Sequence, residues 1–145
     1  MMRVKLLVAG AVMTLALGSL VAQVSAELPR EDAMKEMGKS MKAIKGVIDA
    51  GGPAADVTAP AQKIAEIAAK IPDLFPQGSD TEDDEAKAEI WTKWDAFTAH
   101  GKDLEAAATM LVSAAGGGDM ATVGAQFEKV GGACGACHKE FREKK

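Results

Sequence analysis

Three interruptions of a helical pattern most constrain how this chain can fold. Gly51-Gly52-Pro53, Pro72 and Gly116-Gly117-Gly118 punctuate it. Between them lie four stretches whose apolar residues recur at steps of three and four. No segment alternates with period two over a useful length, so no sheet is expected. The first stretch opens at Pro29, a residue suited to a helix start, and carries Met34, Met37, Met41, Ile44 and Ile48 on one stripe. The second runs from about Ala55 to Ile71, with Ile64, Ile67, Ala68 and Ile71 inward. Pro60 fits a helix only in its first turn, which argues for a later start. The third runs from about Asp84 to Ala115 through Ile90, Trp94, Phe97, Leu104, Ala108 and Leu111, with Gly101 read as a bend. Asp119 then caps a fourth helix, from Met120 to near Glu143, along which Val123, Phe127, Val130, Cys134, Cys137 and Phe141 line up. The expectation is an all-α fold, an antiparallel up-down-up-down four-helix bundle. The connection before the third helix, DLFPQGSDTEDDE, is long and its acidic run reads as solvated.

Residues 1–26 read as a cleaved secretory signal peptide: Arg3 and Lys5, an apolar run from Leu6 to Leu17, then Val24-Ser25-Ala26. The run is short of the roughly 20 residues a membrane span needs. Cleavage is expected after Ala26, with Ala22 the alternative, leaving residues 27–145 as one domain without a membrane span, delivered to the periplasm. Losing Arg3 and Lys5 takes the basic count from 17 to 15 against 21 acidic residues, a net charge of −6. That charge argues against nucleic acid as a partner.

The two cysteines lie together in Cys134-Gly135-Ala136-Cys137-His138. A disulfide between them would close a loop too small to staple anything. Cys-x-x-Cys-His is a c-type haem attachment pattern. Three helical residues set the spacing of two thiols that can add to the two vinyl groups on one haem edge. His138 follows on nearly the same side, able to reach the iron. A thioredoxin-like pair would sit at a helix start in an α/β context. A zinc site would need a fourth ligand, and the only other histidine, His100, reads as a surface residue. One covalent haem c also explains a core served by only four Phe and two Trp.

With that motif near its C-terminus, the chain resembles the class II cytochromes c, the cytochrome c′ superfamily. The likeness rests on CGACH, Phe141-Arg142 after it, Ile90-Trp91 with Phe97 following, IPDLFP, and AMKEMGKSMKAI in the first helix. It implies that His138 is the fifth iron ligand and that Arg142 lies near its solvent side. It also implies that a homodimer through the first two helices is open to the chain.

Members of this superfamily differ at the sixth iron position. Some hold a methionine there and carry single electrons between redox partner proteins. Others leave the position open and bind small gases such as NO or CO. Antiparallel first and fourth helices put Met34 at a depth similar to His138, Met41 roughly 10 Å further along and Met37 rotated by about 60°. Met34 is therefore the expected ligand and Met37 and Met41 are expected core. The expected function is a non-enzymatic, His/Met-ligated electron carrier, with a five-coordinate gas-binding protein as the alternative. Arg30 and Glu31, one turn earlier, can approach a haem propionate, Arg30 better on charge. Trp91 and Phe97 are expected near the haem, the tryptophans as core and rim.

Overall fold

The computed structural model describes residues 30–79 and 85–144; the expected signal peptide lies outside them. Among the described residues there are six helical segments: α1 (Arg30–Asp49), α2 (Ala55–Ala68), α3 (Ile71–Leu74), α4 (Glu89–Thr92), α5 (Trp94–Gly117) and α6 (Met120–Phe141). The four long ones, α1, α2, α5 and α6, make the bundle. Each of α2–α5, α5–α6 and α1–α2 packs along its length, whereas α1 and α6 meet sparsely. The bundle is thus parted along one seam, and the parting positions the site.

Each boundary has a local cause. Glu31 and Asp32 occupy the first turn of α1, where carboxylates complement the helix dipole. Gly51 ends the helix with φ +59°, its N–H donating to the Ile48 carbonyl at 3.1 Å while Gly52 N–H reaches that of Val47 at 2.9 Å. That pair of bonds is a Schellman stop, which needs a residue free to take positive φ. Gly118, at φ +78°, closes α5.

Three boundaries differ from expectation. Pro60 lies inside α2, which begins at Ala55 all the same; Val57, Ala61 and Ile64, each at 0% exposure, hold the helix across the missing N–H. Pro72 does not simply stop a helix but serves at the start of the short α3. The expected third helix is broken at Lys93, whose φ −119° and ψ 43° separate α4 from α5. Gly101 does not interrupt α5. It is buried in mid-α5, and a Cβ there would meet the Ile71 side chain at 3.6 Å, so its smallness serves the close approach of α3.

Ile44, Val57, Ile64, Leu111, Val123 and Val130 are fully buried, each stabilising the fold by roughly 1.5–3 kcal/mol. Asp119 caps α6 as expected, its carboxylate accepting from Ala121 N–H at 3.1 Å and Thr122 N–H at 3.2 Å. The Thr122 hydroxyl and these two N–H groups hold its pKa below the ordinary carboxylate value. A depressed folded pKa contributes stability above the unfolded value, about 3.9, that is lost as pH falls through the folded one. Asp119→Ala is therefore expected to lower the thermal midpoint by a few degrees at neutral pH, with the gap from wild type narrowing in acid. Calorimetry at both pH values checks this.

The segment after the undescribed residues is clasped to the chain's end. Ala86 and Arg142 form an isolated antiparallel bridge, with Lys87 N–H donating to the Phe141 carbonyl at 3.0 Å and Glu143 N–H to that of Glu85 at 2.7 Å. The Arg142 guanidinium pairs with the Glu85 carboxylate. No described helix is long and apolar enough to cross a membrane.

Candidate functional site

The parted seam between α1 and α6 opens a cavity of about 870 Å³, within the ~300–1,000 Å³ typical of ligand and cofactor sites. Its floor is apolar: Ile71, Phe75, Ile90, Phe97, Leu104 and Phe141. Three of these form an aromatic cluster, Phe97 standing edge-on to Phe75 at 4.9 Å and to Phe141 at 5.4 Å.

From α6, Cys134, Cys137 and His138 line this cavity; from α1 come Arg30, Glu31, Met34, Met37 and Met41. Spacing explains the convergence: residues three and four apart share one helix face, and both sets of residues run at those steps. Arg142 lines the rim, held by Glu85. Met37 is buried and Met34 and Met41 half-buried. Gly38 sits between them, where a Cβ would meet no protein atom within 4 Å. Met34 is the fifth residue of α1 and His138 the fourth from the end of α6, so both lie within roughly 6 Å, along the axis, of adjoining helix ends.

The thiols are not poised for redox exchange. Burial raises the pKa of Cys134. Burial, then Cys134 and Glu140, push that of Cys137 up to about 11. Reactive cysteines show the opposite shift. At His138, burial and then the Arg142 charge depress the pKa, with Glu85 opposing. The neutral imidazole, which has a lone pair to offer, is favoured.

Trp91 stands behind the cavity wall and not on it. Its indole N–H donates to the Pro76 carbonyl at 2.9 Å, and the Arg30 guanidinium lies 5.9 Å from its ring centroid, so loop anchoring has claimed it. His100 is half-buried and not simply a surface residue: it lines the cavity, with its ring 5.8 Å from that of Phe141. Phe97, His100 and Leu104 recur at steps of three and four, a signal that could have placed His100 inside. Arg30 donates to Ser79 Oγ at 2.8 Å and stacks 5.1 Å from the Phe75 centroid. It bridges the cavity rim to the loop after α3.

Two thiols kept neutral beside an imidazole, facing thioethers across an apolar cavity at a bundle's seam, define a c-type cytochrome with a C-terminal attachment motif. The chain belongs to the cytochrome c′ family, whose model matches residues 27–142. It is 37% identical over 116 residues to a cytochrome c′ of Pararhodospirillum photometricum, covering 79% of this chain and 93% of that protein. The crystal structure of cytochrome c′ from Thermochromatium tepidum superposes with a TM-score of 0.74 at 30% identity, covering 79% of this chain and 92% of that one. Cytochrome c′ of Alcaligenes xylosoxidans, at 26% identity and a TM-score of 0.71 over 79% of this chain and 91% of that one, has been solved with nitric oxide and with carbon monoxide bound to variants at a leucine. The protein is accordingly a monohaem c-type cytochrome carrying covalent haem c. Cys134 and Cys137 are the two cysteines present for that attachment.

Proposed function

We propose that this chain is a periplasmic cytochrome, without enzymatic turnover, that takes small gases such as NO or CO at the haem face opposite His138. When bound, the haem supplies a one-electron iron centre with a coordination position for a diatomic ligand. The chain's own residues hold that centre: Cys134 and Cys137 retain it, neutral His138 offers its imidazole nitrogen, and the floor around Phe97 excludes water.

The observation that carries this reading is the match of the chain to the cytochrome c′ family along residues 27–142. The α1 wall presents no imidazole or thiolate to the cavity, and its three thioethers are the groups on which the second reading turns. Glu31 and Lys35 close on each other at 2.7 Å and lie 77% and 62% exposed, so neither is drawn inward as a ligand. The gas complexes of the Alcaligenes protein support the same reading.

A second reading is favoured by the placement of Met34 at a depth matching His138. In it the Met34 thioether would help hold the iron and the chain would shuttle electrons between redox partner proteins, since thioether ligation raises the potential.

One measurement separates them. Under the gas-binding reading the reduced protein shows a broad, merged visible band and binds carbon monoxide readily, and Met34→Ala changes the spectrum little. Sharp α and β bands that collapse to the broad form in Met34→Ala would sink that reading and establish the second.

A further inference from the structure

His100 is the one ionisable side chain that α5 brings to the cavity wall, and neither reading above uses it. Its side chain is 24% exposed. Its Nε2 lies 3.5 Å from Oε2 of Glu140 on α6, and the other oxygen of that carboxylate lies 3.2 Å from the Lys93 ammonium. Lys93 and then His100 hold Glu140 below the ordinary carboxylate range, so it stays anionic wherever an imidazole titrates.

The other charged groups on the cavity wall are already engaged. On α1, Lys35 answers Glu31, and Arg30 donates to Ser79. Before α4, Glu85 answers Arg142. The cysteines become thioethers in the holoprotein and do not titrate, and His138 carries the motif's imidazole. From α3, Ile71 brings only apolar surface against Gly101. His100 is left as the ionisable side chain at this wall that lies outside the attachment motif and pairs with Glu140.

We infer that His100 is a positioning residue for electron transfer, linking reduction of the protein to uptake of a proton from solvent on its imidazole. The step balances: one electron enters from a one-electron donor, and one proton binds an imidazole nitrogen beside Glu140. The added cation offsets the added electron across the low-dielectric wall. Protonated His100 favours the reduced protein, so the potential is higher in acid and falls as pH rises. The inference rests on the family's covalent haem and holds whether the sixth position is open or filled by Met34.

The test is the reduction midpoint of the holoprotein between pH 5 and 8.5, by optical titration, for wild type, His100→Gln and His100→Lys. His100→Gln is expected to lose a step worth about threefold to tenfold in the reduction equilibrium, roughly 28–59 mV at 59 mV per tenfold, and to lie near the wild type's alkaline value. His100→Lys, a fixed cation, is expected near the acid value. A purely structural role would not place the two variants on opposite sides of wild type. Should either variant fail to fold, nuclear magnetic resonance titration of His100 in oxidised and reduced wild type reads the same linkage, as a higher midpoint in the reduced protein. An undiminished step in His100→Gln, His100→Lys no higher than His100→Gln, or identical His100 midpoints in the two oxidation states overturns the inference.

Discussion

The double variant Cys134→Ala, Cys137→Ala is expected to yield no protein that keeps haem on a denaturing gel, and little that accumulates at all. Both thiols stand on the wall of the same cavity, and there is no third cysteine to take over. The consequence extends beyond colour. Without its cofactor the side chains that line the cavity of about 870 Å³ lose their packing partner. Interiors otherwise pack as densely as organic crystals, and a domain of this size is stable by only ~5–15 kcal/mol. The helices have their own support in the Gly51 and Gly118 stops, the Asp119 cap and the α2–α5 seam, so helicity should survive better than packing. Far-ultraviolet circular dichroism is expected to be largely retained and the near-ultraviolet signal lost, as in a molten globule. Single variants keep one sulfur and should stain weakly. Full staining of the double variant after denaturation would place the attachment elsewhere and remove the basis of the site.

How much of this was readable beforehand depends on whether the cause was local. The motif Cys134-Gly135-Ala136-Cys137-His138 and the stripe Met34, Met37, Met41 are each set by one helix, and the structure brings both to one cavity. The Asp119 cap and the Gly118 stop are chemistry of a single turn and were equally visible. What the sequence misled about depends on contacts between elements. Gly101 suggested a bend because a helix-interior glycine is intrinsically unfavourable; only the presence of Ile71 against it explains why the helix tolerates it. His100 was assigned to the surface because nothing beside it in sequence is a partner. Its partners are Glu140 and Phe141, some forty residues on. Trp91 reads as a residue near the haem, yet hydrogen bonds to Phe75 and Pro76, sixteen and fifteen residues back, turn its indole N–H to the loop. The break at Lys93 has no breaker residue to announce it. Local propensity fixed the helices, and long-range packing decided what each face met.

Phe97→Ala is expected to cost about 3–5 kcal/mol, the range for deleting a buried aromatic ring, against a total stability of ~5–15 kcal/mol. Phe97 is only 2% exposed and touches rings from three elements: Phe75 after α3 at 4.9 Å, Phe141 on α6 at 5.4 Å and Trp94 in its own first turn at 5.6 Å. Edge-to-face pairs contribute ~0.5–1.5 kcal/mol each beyond area burial, which places this site toward the upper end of the range. A second effect follows from its position on the cavity floor. The hole left by the ring would join the cofactor's cavity, loosening the surface against which the cofactor packs. Phe97→Leu keeps most of the apolar volume and is expected to cost clearly less. Urea denaturation of the holoproteins should show the Phe97→Ala midpoint falling with an unchanged slope. A loss below about 1 kcal/mol, outside that range, would mean that the bundle closes over the gap and that the aromatic cluster is not what holds the cavity floor in shape.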